Sequence, residues 1–174
     1  MVRLIFILVL FTLKTFSQTS RLDSLAAQVN LPSMNMETKR VSNNWAQTIN
    51  KGIDTNTFII KKLINKTYSD GQIKCYKTKE GYSKIIKTFT TKDGLVKIVF
   101  YSLGTWPLQI ETYVKDENIE NLYFDKTNLM AWEKSKNQFV DMNSKDFFPK
   151  NKHGLDMFDR ALKASKSKDK FVKE

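Results

Sequence analysis

The stretch Lys92-Asp93-Gly94-Leu95-Val96-Lys97-Ile98-Val99-Phe100-Tyr101 decides the class of fold. Asp-Gly opens it, and glycine accepts the positive φ that a two-residue hairpin turn demands. Beyond the turn the side chains alternate: Val96, Ile98 and Phe100 point one way and Lys97 the other, the period of a β-strand. Leu95, Val99 and Tyr101 make the second side apolar as well. Part of that face is therefore expected to be covered, and a helix is the simplest cover.

The same pattern extends in both directions. Ser69-Asp70-Gly71-Gln72 and Lys79-Glu80-Gly81 punctuate the chain before this strand. Gly104-Thr105-Trp106-Pro107, Asp116-Glu117-Asn118, Lys126-Thr127-Asn128 and Lys136-Asn137 punctuate it afterwards. Between them Leu108, Ile110, Thr112 and Val114 oppose Gln109, Glu111, Tyr113 and Lys115. Leu122 and Phe124 oppose Asn121 and Asp125. The reading is an antiparallel meander of about seven strands over Phe58 to Met142, with its curvature toward a half-barrel left open. Phe58 to Tyr68 fits a helix by spacing, but its β-branched content and the following Asp-Gly turn favour the first strand. Asn65-Lys66-Thr67 matches a glycosylation acceptor, a pattern too short to carry weight.

Helices flank this sheet. Met1 to Ser17 has Arg3, the apolar run Leu4 to Leu13 and small residues at Thr15 and Ser17, the form of a signal peptide cleaved before Gln18. Ten apolar residues are about half of the ~20 needed to span a bilayer, so no transmembrane segment is expected in the mature chain. No cysteine follows the run to carry a lipid. Residues 18–174 then form one α+β domain: a helical lead-in to residue 55, the sheet, and a C-terminal helix and basic tail from residue 144. In the lead-in, Leu22, Leu25, Ala26 and Val29 make a stripe broken at Asn30-Leu31-Pro32. A second helix is expected from Glu37 to Lys51, with Val41, Trp45, Thr48 and Ile49 as its packing face and Gly52 as its stop. The closing helix is expected after Gly154, with Leu155, Phe158, Ala161 and Leu162 on one face.

The chain carries 29 Lys+Arg against 18 Asp+Glu, a formal net charge of +11; removal of Arg3 and Lys14 with the leader lowers it by two. The charge is scattered, and lysines on a sheet's wet face and edges oppose aggregation. A partner, if the charge selects one, is an anionic envelope component or another envelope protein. Nucleic acid is not expected, given the leader and the lack of a groove-reading motif. Cys75, the single cysteine, follows Ile73 by two and reads as a small inward-facing apolar residue.

Asn121-Leu122-Tyr123-Phe124-Asp125, then Leu129 and Trp132, a hairpin to Asp141, Phe147 and a final helix resemble small exported proteins of unknown function from Gram-negative envelopes. The resemblance implies fold and compartment and carries over no site.

No Gly-rich phosphate loop, His-x-x-x-His, cysteine pair or Gly-x-Ser-x-Gly elbow occurs, so neither catalysis nor a cofactor is expected. The leading expectation is a non-catalytic binding domain of the envelope, periplasmic or extracellular, with Tyr113, Tyr123, Trp132 and Trp106 as anchors on an aromatic, lysine-rich sheet face. One alternative is a carrier of lipid or another apolar ligand between a curved sheet and its helices. Another is a small glycan-acting hydrolase using two of Glu111, Glu120, Asp125 and Glu133; acids paired with lysines would argue against it.

Overall fold

The structure, a computed structural model, describes residues 31–55, 64–68, 71–78 and 81–166. Antiparallel strands follow one another in chain order as one open meander. They are β1 (Ile64–Tyr68), β2 (Gly71–Lys77), β3 (Tyr82–Thr91), β4 (Gly94–Leu103), β5 (Trp106–Val114), β6 (Glu117–Asp125), β7 (Asn128–Ser135) and the two-residue β8 (Gln138–Phe139). Helix α1 (Leu31–Asp54) precedes the sheet and α2 (Phe147–Lys166) follows it. This is the α+β arrangement the alternation implies, with a short eighth strand added. The leader, the Leu22–Val29 stripe and the basic tail lie outside the described residues. The contacts below all fall within the compact unit Asn35–Glu174.

The hairpins close as their residues dictate. Lys115 and Asp116 both adopt positive φ, 50° and 66°, in the two-residue turn between β5 and β6, the geometry that matches the twist of paired strands.

One face of the sheet carries the main core. Cys75, Ile85, Phe100, Ile110, Leu122 and Trp132 form a row of cross-strand partners from β2 to β7. Phe147, Phe158, Ala161 and Leu162 of α2 pack on this face, and the Phe100 and Phe158 rings lie 6.2 Å apart. Each large apolar side chain buried here contributes about 1.5–3 kcal/mol. Helix α2 begins at Phe147 rather than after Gly154, because Pro149 fits a first helical turn, where its missing N–H has no partner to lose. Gly154 is instead inside the helix and faces the sheet. A Cβ there would meet Phe124 Cζ at 2.9 Å and Leu122 Cδ1 at 3.0 Å, so the glycine sets how closely α2 approaches.

The other face is covered by α1. Ala46 and Ile49 of α1 pack on Val99 and Tyr101, with Ile53, Tyr82, Ile86, Leu108 and Tyr113 around them. The face of α1 that packs is rotated from the expected one: Ser42, Ala46 and Ile49 turn inward, while Val41, Trp45 and Thr48 are exposed. The reason lies below, where β5 to β7 present Gln109, Glu111, Asn121 and Glu133. A helix over that surface does better with Lys39, Asn43 and Asn50 facing it than with valine and tryptophan. Gly52 does not stop α1 but is buried within it; the ~1 kcal/mol that a helical glycine costs is offset by the packing of Ile49 and Ile53 on either side. Pro32, expected to break the chain, occupies the first turn of α1.

Candidate functional site

Tyr82 on β3, Leu103 on β4 and Trp106 on β5 are successive cross-strand partners, so their side chains share the α1 face at one end of the sheet. Trp45 of α1 stacks on Tyr82 with ring centres 5.6 Å apart and planes 26° from parallel. Lys126, in the β6–β7 turn, places its ammonium 5.9 Å from the centre of the Trp106 ring. The result is a row Trp45–Tyr82–Leu103–Trp106 with a lysine at its end. Trp45 is 42 % and Trp106 48 % exposed, and Val41, also exposed, lies one helical turn before Trp45 on the same side of α1.

What holds Trp45 in this row is the polar layer beneath α1. Lys39 Nζ donates to Glu133 Oε1 at 2.5 Å, and Glu133 also accepts from Tyr123 OH, Asn121 Nδ2 and the Asn137 backbone N–H. Gln109 Nε2 donates to Asn43 Oδ1 and to Glu111 Oε1, and Tyr113 OH donates to Glu111 Oε2. Lys84 Nζ donates to Asn50 Oδ1 at 2.6 Å, and Asn50 Nδ2 to Tyr101 OH. Three points along α1 are thus tied to β7, β5 and β3–β4 in turn.

The burial of this layer shows in its acidities. Burial pushes Glu111 above the usual carboxylate range, more than its Tyr113 hydrogen bond and the nearby Lys84 and Lys97 pull it down. Burial likewise raises Tyr101 to about 12 and lifts Tyr113 and Tyr123 further still, with the Glu111 and Glu133 charges adding to it. It lowers the Lys84 ammonium. At Glu133 burial acts upward, but its hydrogen bonds, that from Lys39 first, outweigh it and hold the carboxyl low. Gln109 Oε1 is buried and meets no hydrogen-bond donor among the described residues.

The four anchors expected from the alternation do not come together. Tyr123 is 1 % exposed and bonded to Glu133 beneath α1. Trp132 is 6 % exposed on the opposite face, its Nε1 donating to Glu120 at 2.7 Å and its ring flanked by Lys134 and Lys150. Tyr113 is half-buried against Glu111 and under the Lys97 ammonium. Only Trp106 presents its ring to solvent. The tyrosines were hidden because α1 covers their face, and Trp132 because α2 covers the other. Trp45 and Tyr82 were missed: Trp45 read as a packing residue, and only the helix's rotation about its axis exposes it.

Two of the four candidate acids pair with lysines, and a third, Glu111, accepts from Gln109 and Tyr113. Glu120 pairs with Lys150 at 2.6 Å and Glu133 with Lys39, and Glu111 and Glu133 are held apart by Asn121, their common neighbour across the strands. Cys75 is buried under α2, where burial pushes its thiol up. No group of three or more His, Cys, Asp or Glu placed to hold a metal is found among the described residues, and no helix there is long and apolar enough to cross a membrane. Compared with protein-family models, curated proteins and solved structures, the chain matches none.

Proposed function

We propose that this chain is an exported protein of the cell envelope that acts as a non-catalytic binding domain, engaging its partner through the row Trp45–Tyr82–Leu103–Trp106. The observation that carries this reading is the pair of tryptophans, each nearly half exposed, at the two ends of a continuous apolar row whose geometry is set by hydrogen bonds beneath it. Large aromatic side chains with little rotamer entropy to lose are the usual centres of binding energy. The net charge, +11 for the full chain and two less once Arg3 and Lys14 leave with the leader, favours an anionic component of the envelope. Export rests on the Met1 to Ser17 pattern, and sequencing the N-terminus of the exported product should find Gln18 first.

The binding reading is tested by capture from envelope extracts over graded salt, with wild type and Trp45→Ala/Trp106→Ala as baits. The double variant should lose the captured component by tenfold or more, about 1.4 kcal/mol, while its urea midpoint stays near that of the wild type. Undiminished capture by the double variant would end the proposal.

A further inference from the structure

We propose that the end of the sheet carrying Trp106, Lys126 and Phe148 docks on the surface of an anionic lipid bilayer. This rests on the binding reading above and names the partner. The β4–β5 and β6–β7 turns lie at the same end of the meander, since Lys126 of one reaches the Trp106 ring beside the other. Helix α2 also begins there: Asn151 Oδ1 accepts the Leu129 backbone N–H just after the β6–β7 turn, and Phe148 sits one turn earlier on α2. Phe148 is 77 % exposed, the most open of the large apolar side chains among the described residues.

Trp106 lies on the α1 face and Phe148 on the helix covering the other. A partner gripping one face would reach one of them. A planar surface meeting the sheet end-on reaches both, with the β6–β7 turn between them. The chemistry of each suits an interface: indole sits at head-group level, a phenyl ring enters the acyl boundary, and lysines extend along the apolar surface to keep their charge in the head groups. Lys126 in the β6–β7 turn, and Lys145 and Lys152 three residues before and four after Phe148 in the chain, are exposed, as are Asp125 and Asp146, an excess of one positive charge on a chain whose +11 falls by two when Arg3 and Lys14 leave with the leader. A negatively charged leaflet attracts such a surface.

The test sediments the exported product, purified after removal of the leader, with vesicles of phosphatidylcholine alone and of phosphatidylcholine mixed with phosphatidylglycerol. The Leu4 to Leu13 run is then absent from every sample and cannot itself drive partitioning. Wild type should partition onto the mixed vesicles about tenfold better than onto neutral ones, and added salt should erase the difference. Phe148→Ala and Trp106→Ala should each weaken partitioning about tenfold, and Lys126→Glu about fivefold or more, without moving the urea midpoint. Equal partitioning onto both kinds of vesicle overturns the proposal, as does unchanged partitioning by Trp106→Ala/Phe148→Ala. If vesicle binding fails these criteria while Trp45→Ala/Trp106→Ala abolishes envelope capture, the bilayer is excluded and the aromatic row stands; if capture is also unchanged, both readings fall.

Discussion

Glu111 and Glu133 stand two strands apart on one sheet face, and their surroundings drive them in opposite directions. Burial holds Glu111 above the ordinary value of 4.5, so the folded chain keeps that proton more tightly than the unfolded one. Its contribution to stability is present below pH 4.5 and disappears as pH rises through the raised folded value. Glu133 is held below 4.5 by its donors despite its burial; its contribution is present above that pH and is lost as pH falls through the lowered value. Glu111→Gln should therefore raise the urea midpoint at neutral pH, with the gain shrinking toward pH 4, while Glu133→Gln should lower it at neutral pH, with the deficit narrowing in acid. Identical pH profiles for the two variants would contradict the assignment. The alternation placed Glu111 opposite the apolar residues of its strand and offered Glu133 as an acid of the sheet, without giving its side. It could not supply Lys39, 94 residues away, because pairing across that distance depends on how α1 lies.

At the scale of elements, the two helices meet the sheet differently. Helix α2 approaches closely through Gly154, whereas α1 rests on polar side chains. For Gly154→Ala the better helix propensity is worth about 1 kcal/mol, but the added methyl meets Phe124 and Leu122 at 2.9 and 3.0 Å, and overpacking of that kind costs about 1–3 kcal/mol. The net expectation is a loss of about 1 kcal/mol by urea denaturation; a gain would show that α2 can shift outward. For α1, Lys39→Met leaves the buried Glu133 carboxylate without its cation, a loss of about 3 kcal/mol. Adding Glu133→Gln should recover part of it, and the Trp45–Tyr82 stack should loosen in the single variant, seen as a change in near-ultraviolet circular dichroism. A Lys39→Met protein with wild-type stability would mean that the Lys39–Glu133 pair does not hold α1, leaving the Asn43 and Asn50 hydrogen bonds and the apolar packing of Ala46, Ile49 and Ile53 to do so. The apolar stripe of α2 was legible because one face dominates it. That of α1 was not, since Val41 and Trp45 compete with Ala46 and Ile49 and only the polar sheet beneath chooses between them.

At the largest scale, an open sheet covered on both faces leaves its ends and edges to meet other molecules, and among the described residues the exposed aromatics Trp45, Trp106 and Phe148 gather at one end. That distribution follows from turn chemistry: the hairpins carry Trp106 and Lys126 beside their tips, and Pro149 starts α2 where Phe148 must point outward while Phe147 enters the core. The sequence by itself determined the meander, its hairpin positions, the inward direction of Cys75 and the packing stripe of the last helix. Each of these is a local pattern of period two or 3.6 or a backbone preference of glycine and proline. Only the tertiary structure decided which aromatics stay in water and which acids find lysines. Those outcomes depend on the rotation of a helix about its own axis over a distant surface, a choice made by the burial of polar groups that no local pattern contains.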